Sequence, residues 1–268
     1  MTVQQIVVHA GFHKTGTSAV QSFLHNNGKH LWSHMALVLP GRIGDVTRCA
    51  TLHSVMNDPL SLEEFQYRLT TFLQTLDIGK KRHLLLSAED LAGLIPGRSG
   101  HADYSACPVL MASIKHAIQE VFRTERALTF YFSTREKLGW LRSSYWQNLR
   151  GSDLRLDFDA FAATFDRAAD FDPILQATQH ALGDTPVLRC ALEDTHGSTF
   201  GPATPLINLF PLPADVVAAL APAQHLNVSP PQALIDEIRD VNQSGLDREA
   251  LVARKNEILA LHSLPNSG

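Results

Sequence analysis

Three groups of residues in this sequence have the types and spacing for chemistry at a phosphate-like anion, two to bind it and one to take a proton beside it. The first is Gly11-Phe12-His13-Lys14-Thr15-Gly16-Thr17-Ser18. It follows the apolar run Ile6-Val7-Val8, which suits a buried strand, and leads into Val20, Phe23 and Leu24 at helical spacing. Strand, glycine-bounded turn and helix make an anion cradle. Unpaired N–H groups at the helix start point at the ligand, and the helix dipole favours negative charge there. Lys14 adds a full positive charge, and His13, Thr15, Gly16, Thr17 and Ser18 complete the candidate cradle. The second group is Ser133-Thr134-Arg135-Glu136, with Ser143 roughly two helical turns further on. An arginine fork offers paired donors matched to phosphate oxygens, and a serine hydroxyl adds another. The third is Ser87-Ala88-Glu89-Asp90, directly after the run Leu84-Leu85-Leu86. A carboxylate there is either a general base or a helix-start residue that favours the dipole.

The order of residues in the first group is informative. The nucleoside-triphosphate loop reads G-x-x-x-x-G-K-[ST], with lysine after the second glycine. Here Lys14 precedes Gly16, and Thr17 follows directly. Lys14-Thr15-Gly16-Thr17 resembles the 5′-phosphosulfate loop of sulfotransferases that use 3′-phosphoadenosine 5′-phosphosulfate (PAPS). With His13 included, it is similar to the loop of the small soluble and carbohydrate-type members. The arrangement strand, Arg135, helix, Ser143 resembles their 3′-phosphate segment. The resemblance covers about the first half of the chain. It implies a PAPS-dependent transfer to an acceptor hydroxyl on a small molecule or carbohydrate, with Lys14 at the reacting end and Arg135 and Ser143 on the 3′-phosphate.

Cytosolic members carry a catalytic histidine at the strand end that here reads Ser87-Ala88-Glu89, and other members use glutamate. Glu89 is therefore one candidate base and His53 the other. The second half departs from the family pattern. The basic R-K-G segment that closes over the nucleotide is not found, and His225-Leu226-Asn227-Val228-Ser229 is a weak match for its place. Two rival readings stay open. One is a magnesium-dependent nucleotide kinase or NTPase, with Leu84–Asp90 as the metal-binding strand end. The other is a nucleotide-binding protein without catalysis.

Other features bound the function. His30 and His34 have the i, i+4 spacing of a zinc pair but lack a neighbouring third ligand, so no metal site is expected. Asn227-Val228-Ser229 matches a glycosylation sequon, followed by Pro230. The formal net charge of -4 argues against a nucleic-acid partner. Cys49, Cys107 and Cys190 form no disulfide framework or C-x-x-C pair, which favours a reducing compartment. No charged leader with a long apolar run precedes the first strand, and no stretch is long enough to span a membrane. A cytoplasmic protein without a membrane segment is the expectation. Nothing in the sequence sets an oligomeric state.

The elements that must position these groups alternate along the chain. Strands are expected at Ile6–Val8, at Met35–Leu39 with a Pro40-Gly41 stop, at His83–Ser87, at Ala127–Ser133 and at Val187–Cys190. Helical stripes follow the first glycine loop, then run through Leu62–Leu76 behind a Ser61…Glu64 capping box, Val109–Phe122 and Glu136–Asn148. Asp157 is read as a cap, Gly197–Pro213 as irregular loop, Ser229-Pro230 as a helix start, and Asp247–Leu261 as a last helix. The pattern predicts a single α/β domain over 1–268, P-loop-like and three-layered. About five parallel strands carry helices on both faces, with a helical C-terminal part. Ligands of such sheets bind at the carboxyl ends of the strands.

Overall fold

Parallel pairing in the order β2-β3-β1-β4-β5 defines the centre of the molecule. The computed structural model describes residues 4–78, 82–122, 127–223 and 229–262. In chain order the elements are β1 (Gln5–His9), α1 (Thr17–Asn26), α2 (Gly28–Leu31), β2 (Met35–Val38), α3 (Pro40–Met56), α4 (Pro59–Gln74), β3 (His83–Ser87), a 3₁₀ turn (Glu89–Ala92) and α5 (Cys107–Phe122). They continue as β4 (Ala127–Thr134), α6 (Lys137–Gly151), α7 (Phe158–Thr164), α8 (Phe171–Leu182), β5 (Val187–Ala191), α9 (Thr204–Ile207), α10 (Ala214–Ala218), α11 (Gln232–Gln243) and α12 (Arg248–Leu261).

β1 to β4 are largely buried on both faces, as a sheet covered on both sides requires, while the edge strand β5 is part-exposed. Side chains alternate between the faces. Ile6, Val8, Leu84, Leu86, Phe130 and Phe132 enter one core, with α3 to α8, α11 and α12. Val7, Leu85 and Tyr131 enter the other, beside Val20, Phe23 and Leu24 of α1 and Phe200 to Leu220. The expected three layers, five parallel strands and helical C-terminal part are thus present. Neighbours β1 and β4 send the chain in opposite directions, β1 toward β2 and β4 toward β5. Their diverging carboxyl ends open a crevice, the usual ligand position in open sheets of this kind.

Several local expectations are corrected. Pro40 does not stop the chain after β2; it is the first residue of α3, where a missing N–H is harmless and a fixed φ suits the helix. The cap of α4 is Asp58, whose carboxylate accepts from the N–H groups of Leu60 and Ser61, so Ser61 lies inside the helix. Helix α8 adds an element between α7 and β5 that the sequence pattern does not predict. The expected loop 197–213 contains a 3₁₀ turn at Gly201–Ala203 and the short α9. Helix α11 begins at Gln232, after Pro231, rather than at Ser229. Helix α2 ends at Leu31, so His30 and His34 do not share a helix face. Among the described residues no cluster of His, Cys, Asp and Glu could hold a metal. Among them, too, no helix is long and apolar enough to cross a membrane. The segment His225–Val228, read as a lid substitute and sequon, lies outside the described residues.

Candidate functional site

The cradle is built by backbone that only particular residues tolerate. Gly11 has φ +49, and a Cβ there would lie 2.4 Å from Thr17 Cγ2. Gly16 has φ +92 and caps α1, and its Cβ would meet Leu192 at 2.8 Å. Between them Lys14 is left-handed, with φ +66. Such a conformation in a residue with a side chain is strained and clusters at ligand sites. The turn is closed from within by Thr15, fully buried, whose hydroxyl donates to the Phe12 carbonyl at 2.6 Å. Its carbonyls are held from α6 and β4: Trp140 Nε1 donates to His13 O at 2.8 Å, and Arg135 Nη1 to Lys14 O at 3.3 Å. In trans peptides the N–H points opposite to the C=O. The N–H groups of Lys14 and Thr15 therefore face away from those donors, and no acceptor among the described residues meets them.

His9 aligns the strand ends around this turn. Its ring nitrogens bridge Ser87 Oγ at 2.8 Å on β3 and Ser133 Oγ at 2.9 Å on β4. Burial alone pushes its pKa down to about 3, so the ring is neutral in the fold.

Four cations gather at the crevice. Lys14 Nζ reaches Gln147 Oε1 at 3.3 Å, and Arg150 Nη2 donates to the same oxygen at 2.7 Å. Burial lowers the Lys14 pKa to about 8, helped by Arg150, Arg135 and Arg98 and opposed by Glu89. Arg135 lies 3.8 Å from Glu193, and its Nε is buried without a hydrogen-bond partner. Ser143, one turn before Gln147 on α6, is half-buried. Glu89 stands at the end of β3, close enough to act on Lys14 electrostatically, and accepts from Gln21 Nε2 at 2.6 Å.

No family model, curated protein or solved structure matches this chain. Arg135 lies on the Lys14 carbonyl, Glu89 is within electrostatic reach of Lys14, and Gly16 closes the turn at α1. Thr17 is buried and Ser18 exposed at the start of α1. His13 takes a different part: Nε2 pairs with Asp90 Oδ1 at 2.8 Å and Nδ1 with Tyr104 OH at 3.2 Å. With both nitrogens engaged, it fixes the turn. His53 is buried in α3 and bonds Ser61 Oγ of α4 at 2.9 Å. Its Nε2 is buried without a partner, and its pKa is lowered by burial. That contact ties two helices together. Sequence reasoning missed Arg98, Gln147 and Arg150. The i, i+4, i+7 spacing of Ser143, Gln147 and Arg150 on one helix face was a usable signal; Arg98, on a loop, gave none.

Proposed function

We propose that the chain is a sulfotransferase moving a sulfuryl group from PAPS to an acceptor hydroxyl. The observation that carries this reading is the pair of cation positions across the β1–β4 crevice. Lys14 lies in a strained glycine-bounded turn, and Arg135 at the neighbouring strand end is joined to it through the Lys14 carbonyl. A donor with two separate phosphates suits two such positions. The unpartnered N–H groups of the turn and the orphaned Arg135 Nε fit a bound anion.

PAPS supplies a sulfuryl group on a phosphate leaving group. The acceptor oxygen bonds to sulfur as the bond from sulfur to the 5′-phosphate oxygen breaks, and adenosine 3′,5′-bisphosphate leaves. Lys14 and the N–H groups of the turn stabilise charge growing on that bridging oxygen. Glu89 takes the acceptor proton. Arg135 and Ser143 hold the 3′-phosphate, and catalysis is mostly positioning and charge stabilisation. The free thiols of Cys49, Cys107 and Cys190 suit a reducing, cytoplasmic setting.

A second reading, a magnesium-dependent nucleotide kinase, draws on Glu89 and Asp90 at the end of β3 beside β1. Against it stand the position of Lys14 and the engagement of both carboxylates, by Gln21 and by His13. The deciding assay incubates the protein with sulfur-labelled PAPS and a panel of hydroxyl acceptors. Metal-independent label transfer, with release of adenosine 3′,5′-bisphosphate, supports the sulfotransferase. Magnesium-dependent phosphoryl transfer from ATP, without label transfer, supports the kinase.

A further inference from the structure

The cations of the crevice are not one cluster but a row along α6. Arg135 precedes the first turn of that helix and Arg150 belongs to its last. At 1.5 Å per residue, the two are separated by roughly 20 Å along the axis. Lys14 spans the gap, with its carbonyl on Arg135 and its ammonium on Gln147. The donor's two phosphates account for Arg135 and Lys14. They leave Arg150, and beside it Arg98, without a role.

Arg98 is fixed rather than loose. Its loop is anchored to α6 by Asn148 Nδ2, which donates to Pro96 O at 2.9 Å. Gly97, at φ +97, packs so closely on Asn148 that a Cβ would lie 2.7 Å from the amide. The Arg98 guanidinium lies against Gly151, where an added Cβ would meet Nη2 at 2.7 Å. Among the described residues neither Arg98 nor Arg150 has a carboxylate partner within ion-pair distance, and both Nε atoms are buried without a hydrogen-bond partner. Burial and then the neighbouring Arg98 charge lower the Arg150 pKa. The negative end of α6 does not satisfy them. Its carbonyls at Leu149 and Ser152 are taken by Lys255, and Leu149 O also by Asn242. Arg150 also lies over the Trp146 ring, 5.7 Å from its centroid, but two like charges held together with unused donors favour an anion between or beside them.

We infer that Arg98 and Arg150 form an anion subsite on the acceptor side of the reacting centre, so that the acceptor carries an anionic oxygen group beside the hydroxyl that reacts. Lys14 Nζ and Arg150 Nη2 share Gln147 Oε1, which places the subsite next to the sulfuryl position. This inference rests on the sulfotransferase reading.

The test is calorimetric titration of inorganic sulfate into the protein saturated with adenosine 3′,5′-bisphosphate, against sodium chloride at matched ionic strength. Wild type takes up sulfate. Arg98→Gln and Arg150→Gln each weaken sulfate binding tenfold or more, Arg98→Lys by less, and both glutamine variants bind the bisphosphate within twofold of wild type. Lys14→Met changes sulfate binding less than threefold. Unchanged sulfate affinity in Arg98→Gln and Arg150→Gln overturns the subsite. So does sulfate binding that follows Lys14 instead, or a large loss of bisphosphate affinity in the arginine variants, which would put both arginines in the nucleotide site. If wild type does not bind the bisphosphate at all, the sulfotransferase reading itself fails.

Discussion

At the scale of single residues the account turns on Lys14. Its pKa of about 8 in the free protein sets the pH dependence. The ammonium is the active form, so kcat/KM falls about tenfold per unit above pH 8. A bound anion favours the charged form, which moves the falling limb of kcat to higher pH. Lys14→Arg, always charged, removes the limb from the kcat/KM profile. Lys14→Ala lowers turnover by about 10²–10³, the loss typical of one transition-state donor. Arg135→Ala acts differently. The 3′-phosphate is remote from the breaking bond, so PAPS affinity falls by roughly 10- to 100-fold, as for a lost charged hydrogen bond, while kcat changes little. If Arg135→Ala leaves PAPS affinity intact, the second anion position is misassigned. Glu89→Gln keeps shape and removes basicity, and lowers the chemical step by about 10²–10⁴ with bisphosphate binding nearly unchanged. Full turnover in that variant, with chemistry rate-limiting, would make Glu89 only a partner of Gln21.

At the scale of elements, the turn between β1 and α1 was legible because its chemistry is local. Gly11, Lys14, Gly16 and the following helix are consecutive, and their order carries the meaning. Arg98 and Arg150 were not, because they meet only when the loop before α5 returns to the end of α6. Helix α3 was lost to a local ambiguity: Pro-Gly punctuates a chain, but proline also opens helices, and only packing of Ile43, Val46 and Ala50 on the sheet decides. The bridging role of His9 could not be read, since Ser87 and Ser133 are distant from it in sequence. That role makes a prediction. The fold holds His9 neutral with a pKa of about 3, while the unfolded chain protonates it near 6.5. The unfolded state thus binds more protons between these values. The His9 contribution to stability is full above pH 6.5 and falls by about 1.4 kcal/mol per unit as pH drops toward 3. Unfolding free energies from urea melts of wild type and His9→Gln, plotted against pH between 4 and 5.5, should differ in slope by about this amount; parallel plots would contradict a buried neutral ring.

At the scale of the whole molecule, the order β2-β3-β1-β4-β5 places the carboxyl ends of β1 and β4 at a divergence, with β3 alongside. The alternation of apolar strands and helical stripes was enough to predict this layering, since sheet and helix periods survive without tertiary information. The C-terminal helices were predicted as elements, but their connection to the site was not. Lys255 of α12 is buried and donates to the carbonyls of Leu149 and Ser152, clamping the end of α6 that carries Arg150. Lys255→Met should destabilise the protein by roughly 1.5–3 kcal/mol in a urea melt, the loss expected for a charged hydrogen bond. The most direct measurement of the central claim is a thermal-shift comparison of adenosine 3′,5′-bisphosphate with ATP, each with and without magnesium. At a hundredfold its dissociation constant, the bisphosphate should stabilise the protein by about 2.7 kcal/mol, equally with and without the metal. No shift with the bisphosphate, beside a magnesium-dependent shift with ATP, would contradict the account.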